Sequence, residues 1–156
     1  MKIAFASDHS GYHMRADVLS VLEKLELEVL DFGCKTPDRV DFPDLTRKVC
    51  KAIRSGTADR GIMLCGTGIG VAIAANKVPG IRASVCHDVH SAHQGVEHDD
   101  MNVLCMGAKI IGAWHAKDII EAFIKAEFSN DEYFRQRTAK LTIMEIDAAR
   151  ELSNKI

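Results

Sequence analysis

A three-layer α/β/α sandwich around a five-stranded parallel sheet, Rossmann-like in class, is the fold that this sequence predicts. Three observations carry it. Short apolar runs alternate with amphipathic stretches along the chain, the pattern of successive βαβ units. The run Gly61 to Cys65 is uniformly apolar at Ile62-Met63-Leu64, as a central strand covered on both faces must be. Directly after it a glycine-rich stretch passes into a helical pattern.

In order, Lys2 to Ala6 reads as a first strand that runs out in Ser7-Asp8-His9-Ser10-Gly11. Met14, Val18, Leu22 and Leu25 recur on one face of a helix. Leu27 to Phe32 is a second strand, closed by Gly33, and Lys35 to Phe42 is a loop. Pro43 sits where a first helical turn tolerates proline, with Asp41 as the cap, and Leu45, Val49 and Ile53 continue that helix to Gly56. After the third strand, Gly61 to Cys65, a short helix runs from Val71 to Asn76. Ile81 to Cys86 is the fourth strand, Asp88 to Glu97 a helical stretch, and Asn102 to Met106 the fifth strand. Ala116 to Phe128 carries an apolar stripe of Ala116, Ile119, Ile120, Phe123 and Ile124. A last helix spans Asp131 to Leu152.

The 156 residues suit a single domain, 1–156, with a sizeable core. A net charge of −2 offers no global attraction to nucleic acid or to an anionic membrane, so an anionic ligand has to be held by local positive charge. Five cysteines, Cys34, Cys50, Cys65, Cys86 and Cys105, form no C-x-x-C pair and leave one over, which predicts free thiols and a cytoplasmic protein. The apolar start is too short for a signal peptide or a membrane span.

In open α/β sheets ligands sit at the carboxyl ends of the strands, which selects the loops after strands one and three and the region near strand five. Gly66, Gly68 and Gly70 alternate after the third strand, letting a ligand approach the backbone, and amides at a helix start attract anions. The frame is neither a Walker loop nor a dinucleotide fingerprint. Cys65 stands immediately before this cradle, where a thiol ionises readily and serves as base or nucleophile. Asp8 and His9 follow strand one, Asp8 being equally suited to capping the next helix. His98 lies in the run Glu97-His98-Asp99-Asp100, and an imidazole is a side chain suited to general acid–base proton transfer. His87, His90 and His93 are three apart, but their directions drift by about 60° per step on a helix, and no carboxylate or cysteine completes a metal set.

Ser7-Asp8-His9-Ser10-Gly11, Asp41-Phe42-Pro43-Asp44, Cys65-Gly66-Thr67-Gly68-Ile69-Gly70, Ile73-Ala74-Ala75-Asn76-Lys77, Pro79-Gly80-Ile81-Arg82-Ala83 and His98-Asp99-Asp100-Met101-Asn102-Val103-Leu104 together resemble the type B ribose-5-phosphate isomerases, a family that includes galactose-6-phosphate and allose-6-phosphate isomerases. The resemblance implies an aldose–ketose isomerase of a sugar phosphate, foremost ribose 5-phosphate, that needs no metal or organic cofactor. Cys65 matches the family's base, which moves a proton between C1 and C2 through a cis-enediolate. The amides of Gly66, Thr67, Gly68, Ile69 and Gly70 would hold the enediolate charge. His98 matches the acid that opens the sugar ring, with Thr67 assisting, while Asp8 and His9 match contacts to hydroxyls and phosphate. The family site lies between subunits, which implies a homodimer or tetramer, with the helix at 131–152 on a partner and arginines from the later chain on the phosphate.

Four positions depart from the pattern. Lys109 replaces an arginine after strand five, keeping the charge without the bidentate fork. Tyr133 stands for the first arginine of a later pair, with Arg137 matching the second and Arg135 placed to compensate. Asp99 replaces an asparagine beside His98, and Phe42 a tyrosine. These bear on which sugar is used: tetrose, allose and galactose phosphates are alternatives, as is a non-catalytic sugar-phosphate-binding partner subunit.

Overall fold

The computed structural model describes residues 1–154. Its elements are β1 (Lys2–Ser7), a 3-10 turn (Tyr12–Met14), α1 (Arg15–Lys24), β2 (Glu28–Asp31), α2 (Phe42–Arg54), β3 (Arg60–Cys65), α3 (Ile69–Ala75), β4 (Ala83–Val85), α4 (Val89–Asp99), β5 (Val103–Gly107), α5 (Ala113–Lys125) and α6 (Glu132–Ser153). The five strands form one sheet in the order β2-β1-β3-β5-β4, and every pairing is parallel.

Alternation along the strands sorts the core into two layers. Ile3, Phe5, Ile62, Leu64, Leu104 and Met106 point to the face covered by α1, α4 and α5, where Val18, Leu22, Val96, Ile119, Ile120 and Phe123 are buried. Ala4, Ala6, Met63, Cys65, Val103 and Cys105 point to the face covered by α2 and α3, against Leu45, Val49, Cys50, Val71 and Ala75. The three-layer sandwich and its central third strand are therefore as the sequence predicts. Within the described residues no helix is long and apolar enough to cross a membrane.

Some boundaries differ, each for a local reason. The fourth strand is only Ala83–Val85, because the Ile81 N–H closes a turn onto Val78 O and the Asn76 side chain pairs with both Ala83 N and Ala83 O. The fifth helix starts at Ala113 and stops at Lys125, not Phe128. Its last carbonyls are taken by the Arg60 guanidinium, which donates to Phe123 O and, at 2.7 Å, to Ala126 O. Asp41 occupies the N-cap position of α2 without a side-chain cap bond. α6 buries none of its own residues and leaves Leu141, Ile143, Met144, Ile146 and Leu152 exposed.

Candidate active site

The carboxyl edge of the sheet gathers the first set of predicted residues. Gly68, at φ +80° and ψ −18°, turns the chain from β3 into α3, which begins at Ile69, two residues before the sequence-based start. That left-handed conformation is one that a side chain resists. It brings the Gly68 N–H to the Sγ of Cys65 at 3.0 Å, and the Ile69 N–H reaches Thr67 Oγ1 at 3.3 Å. The first bond of the helix runs from Ala72 N to Gly68 O, so the amides of Gly70 and Val71 have no partner within the helix. Cys65 is buried at 6 % exposure, whereas Thr67 and Ile69 are exposed.

The turn after β5 braces this loop. Ala108 N donates to Cys65 O at 2.9 Å and Lys109 N to Gly66 O at 3.0 Å. The Lys109 stem and Ser10 both lie over Gly66, for a Cβ built there would be 3.7 Å from Lys109 Cδ and 3.5 Å from Ser10 Cβ. The Phe42 ring covers Gly70 from the other side, 3.1–3.3 Å from the corresponding Cβ position. Asp8 is buried, and its Oδ1 accepts the N–H groups of Ser10 at 2.8 Å and Gly11 at 3.0 Å, so it does cap the turn after β1. His9 stands beside it, with Nδ1 accepting the Val40 N–H at 3.4 Å.

The second set lies elsewhere. α4 extends through His98 and Asp99, which the sequence leaves in a polar run before strand five, and it delivers the chain to the start of β5. Gly61 pairs with Val103 and Cys65 with Gly107, so Cys65 and the entry to β5 are at opposite ends of the sheet. Four strand steps, roughly 13 Å, separate the two levels. At the far end the His98 ring stacks on Phe134 with centroids 4.0 Å apart and planes 13° apart, and Ser129 N donates to Glu97 O. Arg135 lies over Phe128 and donates to Asn130 Oδ1 at 2.9 Å, while Arg137 lies 3.8 Å from the centre of the Tyr133 ring. One chain thus brings together Asp8, His9, Cys65, Gly66, Thr67, Gly68, Ile69, Gly70 and Lys109, and separately His98, Asp99, Arg135 and Arg137.

Burial raises the Cys34 thiol above its ordinary value. Burial pushes Cys50 and Cys86 up to about 11, and it raises Cys105, beside Cys65, well above the ordinary range. A thiol raised by burial carries little thiolate near neutral pH. Sequence reasoning missed Ser10, His13 and His87 as neighbours of the site. Ser10 stands inside a recognised motif, but nothing in one sequence signals that the two histidines meet the turn after β5.

Residues 3–141 match the model of the Ribose/Galactose Isomerase family. Ribose-5-phosphate isomerase B of Escherichia coli (strain K12) is 38% identical over 92% of this chain and 96% of its own length. D-erythrulose-4-phosphate isomerase of Pectobacterium atrosepticum is 39% identical over 82% of this chain and 85% of its own. The solved structure of Clostridium thermocellum ribose-5-phosphate isomerase B superposes with a TM-score of 0.92 at 43% identity, covering 95% of this chain and 99% of that one. With the thiol, glycine cradle and parallel sheet described above, these likenesses define an aldose–ketose isomerase that acts on sugar phosphates. The chain belongs to the ribose/galactose isomerase family.

Proposed function

We propose that the protein interconverts ribose 5-phosphate and ribulose 5-phosphate through a cis-enediolate, with Cys65 as the base and with a second copy of the chain completing the site. The observation that carries this is the Cys65 sulfur seated in the glycine cradle, 3.0 Å from Gly68 N. As thiolate, Cys65 takes the C2 proton of the open-chain aldose. The electron pair moves into the C1–C2 bond and the carbonyl oxygen becomes the enediolate oxygen, which the loop amides stabilise. The hydroxyl proton on O2 passes to O1, and return of the carbon-bound proton from Cys65 to C1 re-forms the carbonyl at C2, which gives the ketose.

His98 is the group that protonates the ring oxygen, while the anomeric hydroxyl gives up its proton through Thr67. Because His98 lies at the far end of its own sheet, the His98 that serves a given Cys65 belongs to another copy, and so do Arg135 and Arg137, the phosphate ligands. Asp8, His9 and Lys109 hold hydroxyls and phosphate from the near side, and Asp99 stands beside His98. The exposed apolar residues of α6 supply surface for a homodimer or for a tetramer built from it. Free, buried cysteines fit a reducing cytoplasm.

A tetrose 4-phosphate is the second reading. The relative named D-erythrulose-4-phosphate isomerase favours it, as does Phe42, which sets a ring without a hydroxyl against Gly70. The test is to assay the purified protein alone on aldose and ketose phosphates of four to six carbons. Turnover of ribose 5-phosphate with the highest kcat/KM is expected. Preference for a tetrose phosphate would move the assignment to the second reading, and no turnover of any would point to a non-catalytic partner subunit.

A further inference from the structure

The turn from Gly107 to Lys109 is gripped by two histidines that the mechanism above does not use. Gly107 donates its N–H to Nε2 of His87 at 2.9 Å, and Nε2 of His13 lies 3.0 Å from Ala108 O. They arrive from different loops: His87 follows β4 on one side, and His13 lies in the 3-10 turn after β1 on the other.

What they hold is the backing of the reacting loop. Gly107 stands opposite Cys65 in the β3–β5 register. A Cβ on Gly107 would lie 2.8 Å from Thr67 Cα and 2.7 Å from the Thr67 carbonyl carbon, so the two backbones touch. From the loop's side, a Cβ on Gly68 would lie 3.2 Å from Gly107 N. The amide that His87 accepts is therefore the one against which Gly68 rests, and Gly68 in turn donates to the Cys65 sulfur.

We infer that His87 is a positioning residue for isomerisation: it fixes the Gly107 amide, and through it the placement of Thr67, Gly68 and the Cys65 thiol. An N–H donor requires a lone pair on Nε2, so His87 acts as a neutral imidazole with its proton on Nδ1. His13 holds the next peptide by donating from Nε2 to Ala108 O. The inference rests on the reading of Cys65–Gly70 as the reacting loop.

The experiment compares His87→Leu, which has no acceptor, with His87→Gln, whose Oε1 reaches to a similar place. It measures kcat, KM and thermal midpoint in the purified full chain, together with the imidazole 15N shifts of His87 in the wild type. Losing one hydrogen bond that shapes an oxyanion site is expected to lower kcat about 10-fold in His87→Leu, with KM changed less than about 2-fold. His87→Gln should recover to within about 3-fold of wild type, and the 15N shifts should show Nδ1 protonated and Nε2 bare. A folded His87→Leu with wild-type kcat, a His87→Gln as slow as His87→Leu, or a protonated Nε2 would each overturn the inference. The last of these reads out even where His87→Leu does not fold. Wild-type protein that turns over no sugar phosphate overturns the loop reading and this inference with it. Active wild type beside an unaffected His87→Leu overturns the inference alone.

Discussion

Gly68 presents its N–H to the Sγ of Cys65 at 3.0 Å, three residues along the chain and in a left-handed backbone conformation. The proposed base and the first donor of the anion cradle are thus parts of one turn. The same turn begins α3, so the sulfur sits where the helix leaves its amides unpaired. Cys65→Ala removes the base and leaves the turn. It is expected to lower kcat by more than about 1000-fold while costing no more than about 2 kcal/mol of stability, because a buried thiol is small. Steady-state kinetics beside chemical denaturation check both parts; wild-type turnover in that variant would end the assignment of Cys65.

A methyl group on Gly70 would lie 3.1–3.3 Å from the Phe42 ring, tighter than ordinary contact, so one of the two must give by a few tenths of an ångström. Gly70→Ala should therefore displace the ring or the loop, with a loss of about 1–3 kcal/mol in stability and a fall in kcat/KM. Combining it with Phe42→Leu should recover part of both losses, since residues in contact couple. Strictly additive effects in urea titrations of the two single variants and the double variant would contradict the contact.

The thiols should separate by reactivity. Cys50 and Cys86 are pushed up to about 11 by burial, and burial also raises Cys105 well above its ordinary value, so these three carry little thiolate near neutral pH. Iodoacetate near neutral pH should label Cys65 ahead of these three, with activity lost in step and substrate slowing both. Peptide mass mapping over time gives the order, and early labelling of Cys50 or Cys105 would refute it.

Asp31 carries the clearest acid-sensitive stability. Burial works to raise its pKa, but the Lys35 ammonium, the Gly33 N–H and the Arg15 guanidinium outweigh that and hold the carboxyl below its ordinary value. A carboxylate depressed in the fold contributes stability above its unfolded pKa of about 3.9, and that contribution is lost as pH falls through the lower folded value. Asp31→Asn should lower the urea midpoint at neutral pH and flatten its decline below about pH 4. An unchanged slope in the acid range would contradict this.

The fold was largely legible because each layer leaves its period in the sequence. The run Ile62-Met63-Leu64 marks a strand covered on both faces, and Ala116, Ile119, Ile120 and Phe123 mark a helix with one buried stripe. The near half of the site was legible for a related reason: three alternating glycines after a buried strand have few uses other than a backbone that approaches a ligand. The end of α4 was not. Asp100 terminates that helix at φ +52°, with Asp100 N bonded to Val96 O and Met101 N to Gly95 O, a role that glycine usually fills and so usually announces. With aspartate there, Glu97-His98-Asp99-Asp100 reads as loop, and the position of His98 at the far end of the sheet stays hidden. The contacts of His87 and His13 were illegible because both depend on the sheet order β2-β1-β3-β5-β4, which no local pattern encodes.

The central claim is that Cys65 and His98 serve one reaction from two chains, and mixing tests it most directly. Cys65→Ala and His98→Ala are each purified, then unfolded and refolded together in equal amounts. If every site takes Cys65 from one copy and His98 from another, half of the dimers are mixed and each carries one intact site. Activity then returns to about a quarter of wild type from two variants that are each nearly inactive. A mixture that refolds into mixed dimers and stays as inactive as its components would contradict the account.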